Sequence, residues 1–151
     1  MVEEGAPAPE FELTSDEGET VTLSALRGKP VVLYFYPKDD TPGCTTEACE
    51  FRDAYDRFRE QGVEILGVSP DTEASHRKFK SKHELPFTLL ADPDHHAAEA
   101  YGVWKEKRNY GKTYMGVERS TFVIGADGKV AKAMRGIRPA GHAAQVLETL
   151  G

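Results

Sequence analysis

Residues 31–51 read Val31-Val32-Leu33-Tyr34-Phe35-Tyr36-Pro37-Lys38-Asp39-Asp40-Thr41-Pro42-Gly43-Cys44-Thr45-Thr46-Glu47-Ala48-Cys49-Glu50-Phe51. They hold a strand, a turn and the start of a helix in direct succession. The run Val31–Tyr36 is continuously β-branched and aromatic and is bounded by Pro30 and Pro37, as expected of a strand buried on both faces. After the turn, Ala48, Phe51, Tyr55 and Phe58 recur at spacings of three and four. Glu47, Glu50, Asp53, Asp56 and Arg57 lie off that stripe, so the segment is an amphipathic helix.

Outward from this unit the pattern repeats. Toward the C-terminus, Val63 to Val68 reads as a strand, Ser69-Pro70-Asp71 as a helix start, Phe87 to Ala91 as a strand, and His95 to Tyr101 as a short helix. Strands alternating with helices imply parallel pairing. Arg119 to Ile124 and Val130 to Met134 flank Gly125-Ala126-Asp127-Gly128, whose Asp-Gly suits a hairpin turn, and Pro139 to Leu150 closes the chain as a helix. Toward the N-terminus, Glu10–Leu13 and Thr20–Leu23 alternate in polarity around Ser15-Asp16-Glu17-Gly18, a second hairpin. The order β-hairpin, βα, βα, βα, ββ, α predicts an α/β fold of the thioredoxin type, with a central mixed sheet flanked by helices.

The 151 residues fit one domain, 1–151, with room for a contiguous core. The 39% apolar and 29% charged content belongs to a soluble globular chain. The net charge of -6 comes from interspersed acids and bases with no basic block, which argues against nucleic acid. No stretch approaches the roughly 20 apolar residues that cross a bilayer, and the start, Met1-Val2-Glu3-Glu4-Gly5, is acidic where a secretory signal is basic. The expectation is a cytoplasmic protein with no membrane partner.

Cys44 and Cys49 are the two cysteines. Cys44 falls in the first turn of the helix, where unpaired backbone N–H groups and the positive end of the dipole favour a thiolate. That effect is too small alone. Bringing a cysteine from about 8.5 to about 6 takes roughly 3.4 kcal/mol, whereas a helix terminus supplies at best about 2. Arg119, at the start of a predicted strand, is a candidate cation, although on its own it reads more readily as a solvated strand-end charge. Thr41 stands three residues before Cys44, so its hydroxyl either faces the sulfur or a peroxide oxygen, or serves as an ordinary N-cap ahead of Pro42. Glu47 reads as a partner of the first-turn dipole. Cys44 also extends the apolar stripe of Ala48 and Phe51, and an inert small hydrophobe is the competing reading.

Residues five apart on a regular helix have Cα atoms roughly 8 to 9 Å apart, beyond the ~7 Å that a disulfide tolerates. The pair is bridged only if the helix unwinds locally. A redox cycle follows: Cys44 attacks a peroxide O–O bond and becomes a sulfenic acid, Cys49 attacks that sulfur, and a dithiol donor reduces the disulfide. If Cys49 is a spectator, an outside thiol resolves Cys44.

Pro37-x-x-x-Thr41-x-x-Cys44 resembles the active-site signature of peroxiredoxins, and Cys49 five residues on is similar to the Q subfamily, also called bacterioferritin comigratory proteins. The resemblance extends to Gly5-Ala6-Pro7-Ala8-Pro9-Glu10-Phe11 and to Tyr110-Gly111-Lys112-Thr113-Tyr114-Met115-Gly116-Val117-Glu118-Arg119-Ser120-Thr121-Phe122. It implies that Cys44 is the peroxidatic cysteine, Cys49 the resolving one, Thr41 the peroxide-orienting hydroxyl, Pro37 the shield of the pocket and Arg119 the thiolate-stabilising arginine. It further implies a thioredoxin fold, a monomer, no cofactor and no metal. The activity implied is reduction of hydrogen peroxide and organic hydroperoxides in antioxidant defence, with thioredoxin or sometimes glutaredoxin as reductant. One departure is Gly125, where the family suggests an aspartate.

Two rival readings remain. Thiol–disulfide exchange on the same fold usually draws on Cys-x-x-Cys, but residue 47 is glutamate. A metal-binding module would rest on His95-His96 with Asp92 and Asp94, though adjacent histidines project in different directions. Tyr101 and Trp104 read either as core or as an exposed partner surface.

Overall fold

A computed structural model describes residues 2–150; Met1 and Gly151, the two ends of the predicted domain, lie outside the described residues. In chain order the elements are β1 (Glu12–Ser15), β2 (Thr20–Thr22), β3 (Val31–Phe35), α1 (Pro42–Glu60), β4 (Glu64–Ser69), α2 (Glu73–His83) and β5 (Thr88–Ala91). They are followed by α3 (His96–Ala100), β6 (Trp104–Asn109), β7 (Lys112–Val117), β8 (Ser120–Ile124), β9 (Val130–Arg135) and α4 (His142–Leu150).

The main sheet runs β2-β1-β5-β4-β3-β8-β9. β3, β4 and β5 are parallel neighbours, as the βα alternation requires, and antiparallel β1 and β8 extend them on either side. The sheet is therefore mixed and flanked by helices, the arrangement expected from the sequence. β3 sits near its centre because every residue from Val31 to Tyr36 is buried. Alternate side chains of a strand point to opposite faces. Val31, Leu33 and Phe35 pack with Tyr101, Phe122 and Leu90. Val32, Tyr34 and Tyr36 pack with Phe51, Phe58 and Phe79 of the helices on the other face. Each such side chain contributes roughly 1.5–3 kcal/mol when fully buried. Tyr34 stacks on Phe51 at 4.8 Å and lies over Gly67, where a Cβ would come within 2.9 Å of its ring. Tyr101 is core, not an exposed partner surface.

Two sequence expectations need correction, and one hairpin went unread. Ser69-Pro70-Asp71 does not open α2; the helix begins at Glu73, with Thr72 accepting from the Ser75 amide at 3.2 Å. Ser69 instead ends β4, and its hydroxyl donates to Asp71 Oδ2 at 2.5 Å. The last helix starts at His142, three residues after Pro139, because Gly141 is left-handed at φ +81. The β6–β7 hairpin is absent from the sequence reading altogether. Its strands are mostly exposed and polar, so they carry little apolar alternation. Its turn is a tight one: Tyr110 and Gly111 are both left-handed, at φ +52 and +77, as a two-residue hairpin turn demands.

Candidate active site

The connection from β3 to α1 places Thr41 at the N-cap position, Pro42 at the first helical position and Cys44 within the first turn. Cys44 is 2% exposed and sits among the apolar residues of α1. Burial by itself disfavours an anionic sulfur. The counterweight comes from across the sheet. β8 pairs antiparallel with β3, with Phe35 opposite Ser120, and this register brings Arg119 beside the start of α1. Arg119 Nη2 donates to Cys44 Sγ at 3.3 Å, and Nη1 donates to Glu47 Oε1 at 2.7 Å. The Arg119 side chain is 14% exposed and its guanidinium is paired, so it is not the solvated strand-end charge of the alternative reading. Gly43 permits this approach, since a Cβ there would lie 3.2 Å from Arg119 Nη2 and 3.3 Å from Pro139 Cγ.

Glu47 corrects the sequence reading. It lies one turn beyond Cys44 on the same face and is fully buried, facing Arg119 instead of solvent. Burial pushes its carboxyl up to about 7, against the opposing pull of Arg119. Its second oxygen, Oε2, is buried with no hydrogen-bond partner among the described residues. Burial works against the Arg119 charge, but Glu47 and Cys44 outweigh it and hold the guanidinium above its ordinary range. Spacing of three from Cys44 was the available signal; what hid it was that acidic residues are common in first turns for dipole reasons alone.

Thr41 makes no side-chain cap; its hydroxyl donates to the Lys38 carbonyl at 2.8 Å, leaving its oxygen as an acceptor. Pro37 is partly buried where the chain leaves the sheet. Cys49 is half-buried on the same unbroken helix, and both thiols are free. The structure thus gathers Cys44, Arg119 and Glu47 into direct contact and leaves Cys49 a helical turn and more away.

Two of the residues of the metal-binding reading, Asp92 and His95, are engaged elsewhere. Asp92 accepts from the amides of Ala97 and Ala98 and so caps α3, while His95 stacks on Trp104 at 4.1 Å.

A sulfur facing a guanidinium at a helix N-terminus is suited to act as a nucleophile. Comparison with known proteins bears on this arrangement. The model of the AhpC/TSA family matches residues 5–133. Peroxiredoxin Bcp of Bacillus subtilis is 56% identical over 149 residues, covering 99% of this chain and 95% of that protein. Peroxiredoxin Bcp of Escherichia coli K12 is 44% identical, covering 97% and 94%. Among solved structures, a Xanthomonas campestris bacterioferritin comigratory protein superposes with TM-score 0.92 at 41% identity, covering 98% and 97%.

Proposed function

Given that the chain belongs to the AhpC/TSA family, as a peroxiredoxin of the Q type and a thiol peroxidase, we propose that it reduces hydrogen peroxide and organic hydroperoxides through Cys44. The observation that carries this reading is the 3.3 Å contact between the Arg119 guanidinium and the Cys44 sulfur at the N-terminus of α1. In the first step the thiolate attacks the terminal peroxide oxygen and the O–O bond breaks. Sulfur is oxidised to the sulfenic acid, and the alkoxide leaves with a proton as alcohol or, from hydrogen peroxide, as water. The Thr41 oxygen accepts from the peroxide O–H, the Arg119 fork steadies charge passing from sulfur to oxygen, and Pro37 screens the site from water. The Xanthomonas protein has alkyl peroxide reduction activity, which supports organic hydroperoxides as substrates here.

In the second step the Cys49 thiolate attacks the sulfenic sulfur and expels hydroxide, which leaves as water. Because the two residues lie five apart on a continuous helix, α1 unwinds around residues 44–49 for this bond to form. A dithiol protein of the thioredoxin type returns the disulfide to two thiols. The setting is a cytoplasmic monomer; no described helix is long and apolar enough to cross a membrane.

The test is rapid mixing of reduced protein with hydrogen peroxide and with an organic hydroperoxide, followed by sulfenic-acid trapping. Rapid oxidation confined to Cys44 and abolished in Cys44→Ser is the expected result. Peroxide turnover that survives Cys44→Ser overturns the assignment.

A further inference from the structure

Immediately ahead of the reactive helix, the chain is held by a buried polar network that the reaction scheme leaves unused. Asp39 lies at its centre. Its Oδ1 accepts from the Tyr36 hydroxyl at 2.6 Å, and its Oδ2 accepts from the Ser75 hydroxyl at 2.8 Å and lies 2.7 Å from His76 Nδ1. His76 is fully buried on α2, and its Nε2 is 2.9 Å from the Leu90 carbonyl oxygen. A carbonyl only accepts, so Nε2 carries a proton and donates to Leu90, and a second proton between Nδ1 and Oδ2 makes their 2.7 Å contact a hydrogen bond. The Asp39 backbone is held as well: its amide donates at 2.8 Å to Asp71 Oδ2, which the Ser69 hydroxyl also reaches.

The next residue shows what this anchoring counters. Asp40 is left-handed at φ +59, a conformation costing a non-glycine residue roughly 1–2 kcal/mol. Its carboxylate is held by Lys82 Nζ at 2.9 Å, in an exposed and therefore weak ion pair. Beside the Asp71 contact to its amide, the buried hold on this segment passes through the Asp39 carboxylate to Tyr36, Ser75 and His76. Although ligand atoms of Asp39, Asp71 and His76 lie within 4.8 Å of one another, each residue already has protein partners, so the cluster is a completed network rather than a cation cage.

The proposed cycle asks two opposed things of this segment. Peroxide attack needs Pro37 and Thr41 fixed beside Cys44, whereas disulfide formation needs the start of α1 to unwind. The network joins the fixed part of the fold, α2 and the end of β5, to the N-terminal side of the part that unwinds.

We propose that His76 is a positioning residue: through Asp39 it holds residues 37–41 in the peroxide-reducing geometry, and so sets the balance between sulfur oxidation and disulfide formation. This role rests on the peroxidase reading above. Loss of the anchor favours the unwound connection by about tenfold or more, the weight of a hydrogen bond to a charged group.

The experiment is single-turnover rapid mixing of reduced wild type, His76→Ala, His76→Gln and Asp39→Asn with hydrogen peroxide. It resolves the second-order oxidation of Cys44 from the first-order appearance of the disulfide. In His76→Ala the second phase quickens up to about tenfold while the first slows by a smaller factor, set by how much of the unwound form is then populated, and His76→Gln, whose amide can donate to Asp39, recovers much of both. General destabilisation does not produce opposite changes in the two phases. If His76→Ala does not fold, Asp39→Asn carries the test, with the same opposed changes expected. Phases that stay unchanged, or shift in the same direction, in variants that fold overturn the role of His76. A wild type without a peroxide-dependent first phase overturns the peroxidase reading itself, which distinguishes the two failures.

Discussion

Replacing Glu47 by glutamine should change how stability depends on pH, and the size of the change follows from its burial. The carboxyl is raised from its ordinary 4.5 to about 7 by desolvation, which outweighs the pull of Arg119. At about 1.36 kcal/mol per pH unit this amounts to roughly 3 kcal/mol. The sign is set by proton counting. Below pH 4.5 Glu47 is protonated in both folded and unfolded chains, and its contribution to stability is fully present. Between 4.5 and about 7 the unfolded chain has released the proton and the folded one retains it, so stability falls as pH rises. Above about 7 both are ionised and the loss is complete.

Glutamine keeps the shape and an oxygen for Arg119 Nη1 but has no proton to lose. The unfolding free energy of reduced wild type minus that of Glu47→Gln, measured by urea denaturation from about pH 4.5 to about pH 8, should therefore fall by about 3 kcal/mol and then level off. Taking the difference removes the other titrating groups that both proteins share. A flat difference, or one that rises with pH, refutes the claim that burial dominates over the Arg119 ion pair.

Arg119→Lys retains a positive charge but cannot bridge Cys44 and Glu47 as the fork does, so Cys44 oxidation by peroxide should slow by at least about tenfold in rapid mixing; an unchanged rate would count against the fork. Gly67→Ala should lower stability by about 1–3 kcal/mol, seen as an earlier urea midpoint, because the new Cβ meets Leu89 Cδ2 and the Tyr34 ring at 2.9 Å. Oxidised protein should lose amide-exchange protection across residues 44–50 relative to reduced protein, and equal protection in both states would exclude local unwinding of α1.

Much of the architecture was legible because it rests on local patterns. The buried run 31–36, the stripe of Ala48, Phe51 and Phe58, and the alternation of strands with helices each follow from side-chain periodicity, which neighbours in the chain suffice to express. The β6–β7 hairpin is not legible in that way because its strands are solvated and its turn uses Tyr-Gly instead of Asn-Gly. Helix ends moved by a few residues where competing caps were available, as at Thr72.

The site divides in the same way. Placement of Cys44 in the first turn of α1, and its separation from Cys49, come from the order of residues, since proline, glycine and helical rise act over a few positions. Whether a cation faces that sulfur is decided by the antiparallel pairing of β3 with β8, which turns Arg119 inward onto Cys44, 75 residues away in the chain. Glu47 becomes a buried acid, and Asp39 finds His76, for the same reason. The charge state and hold of a side chain depend on the dielectric and partners around it, and those are supplied by parts of the chain that meet only once it has folded.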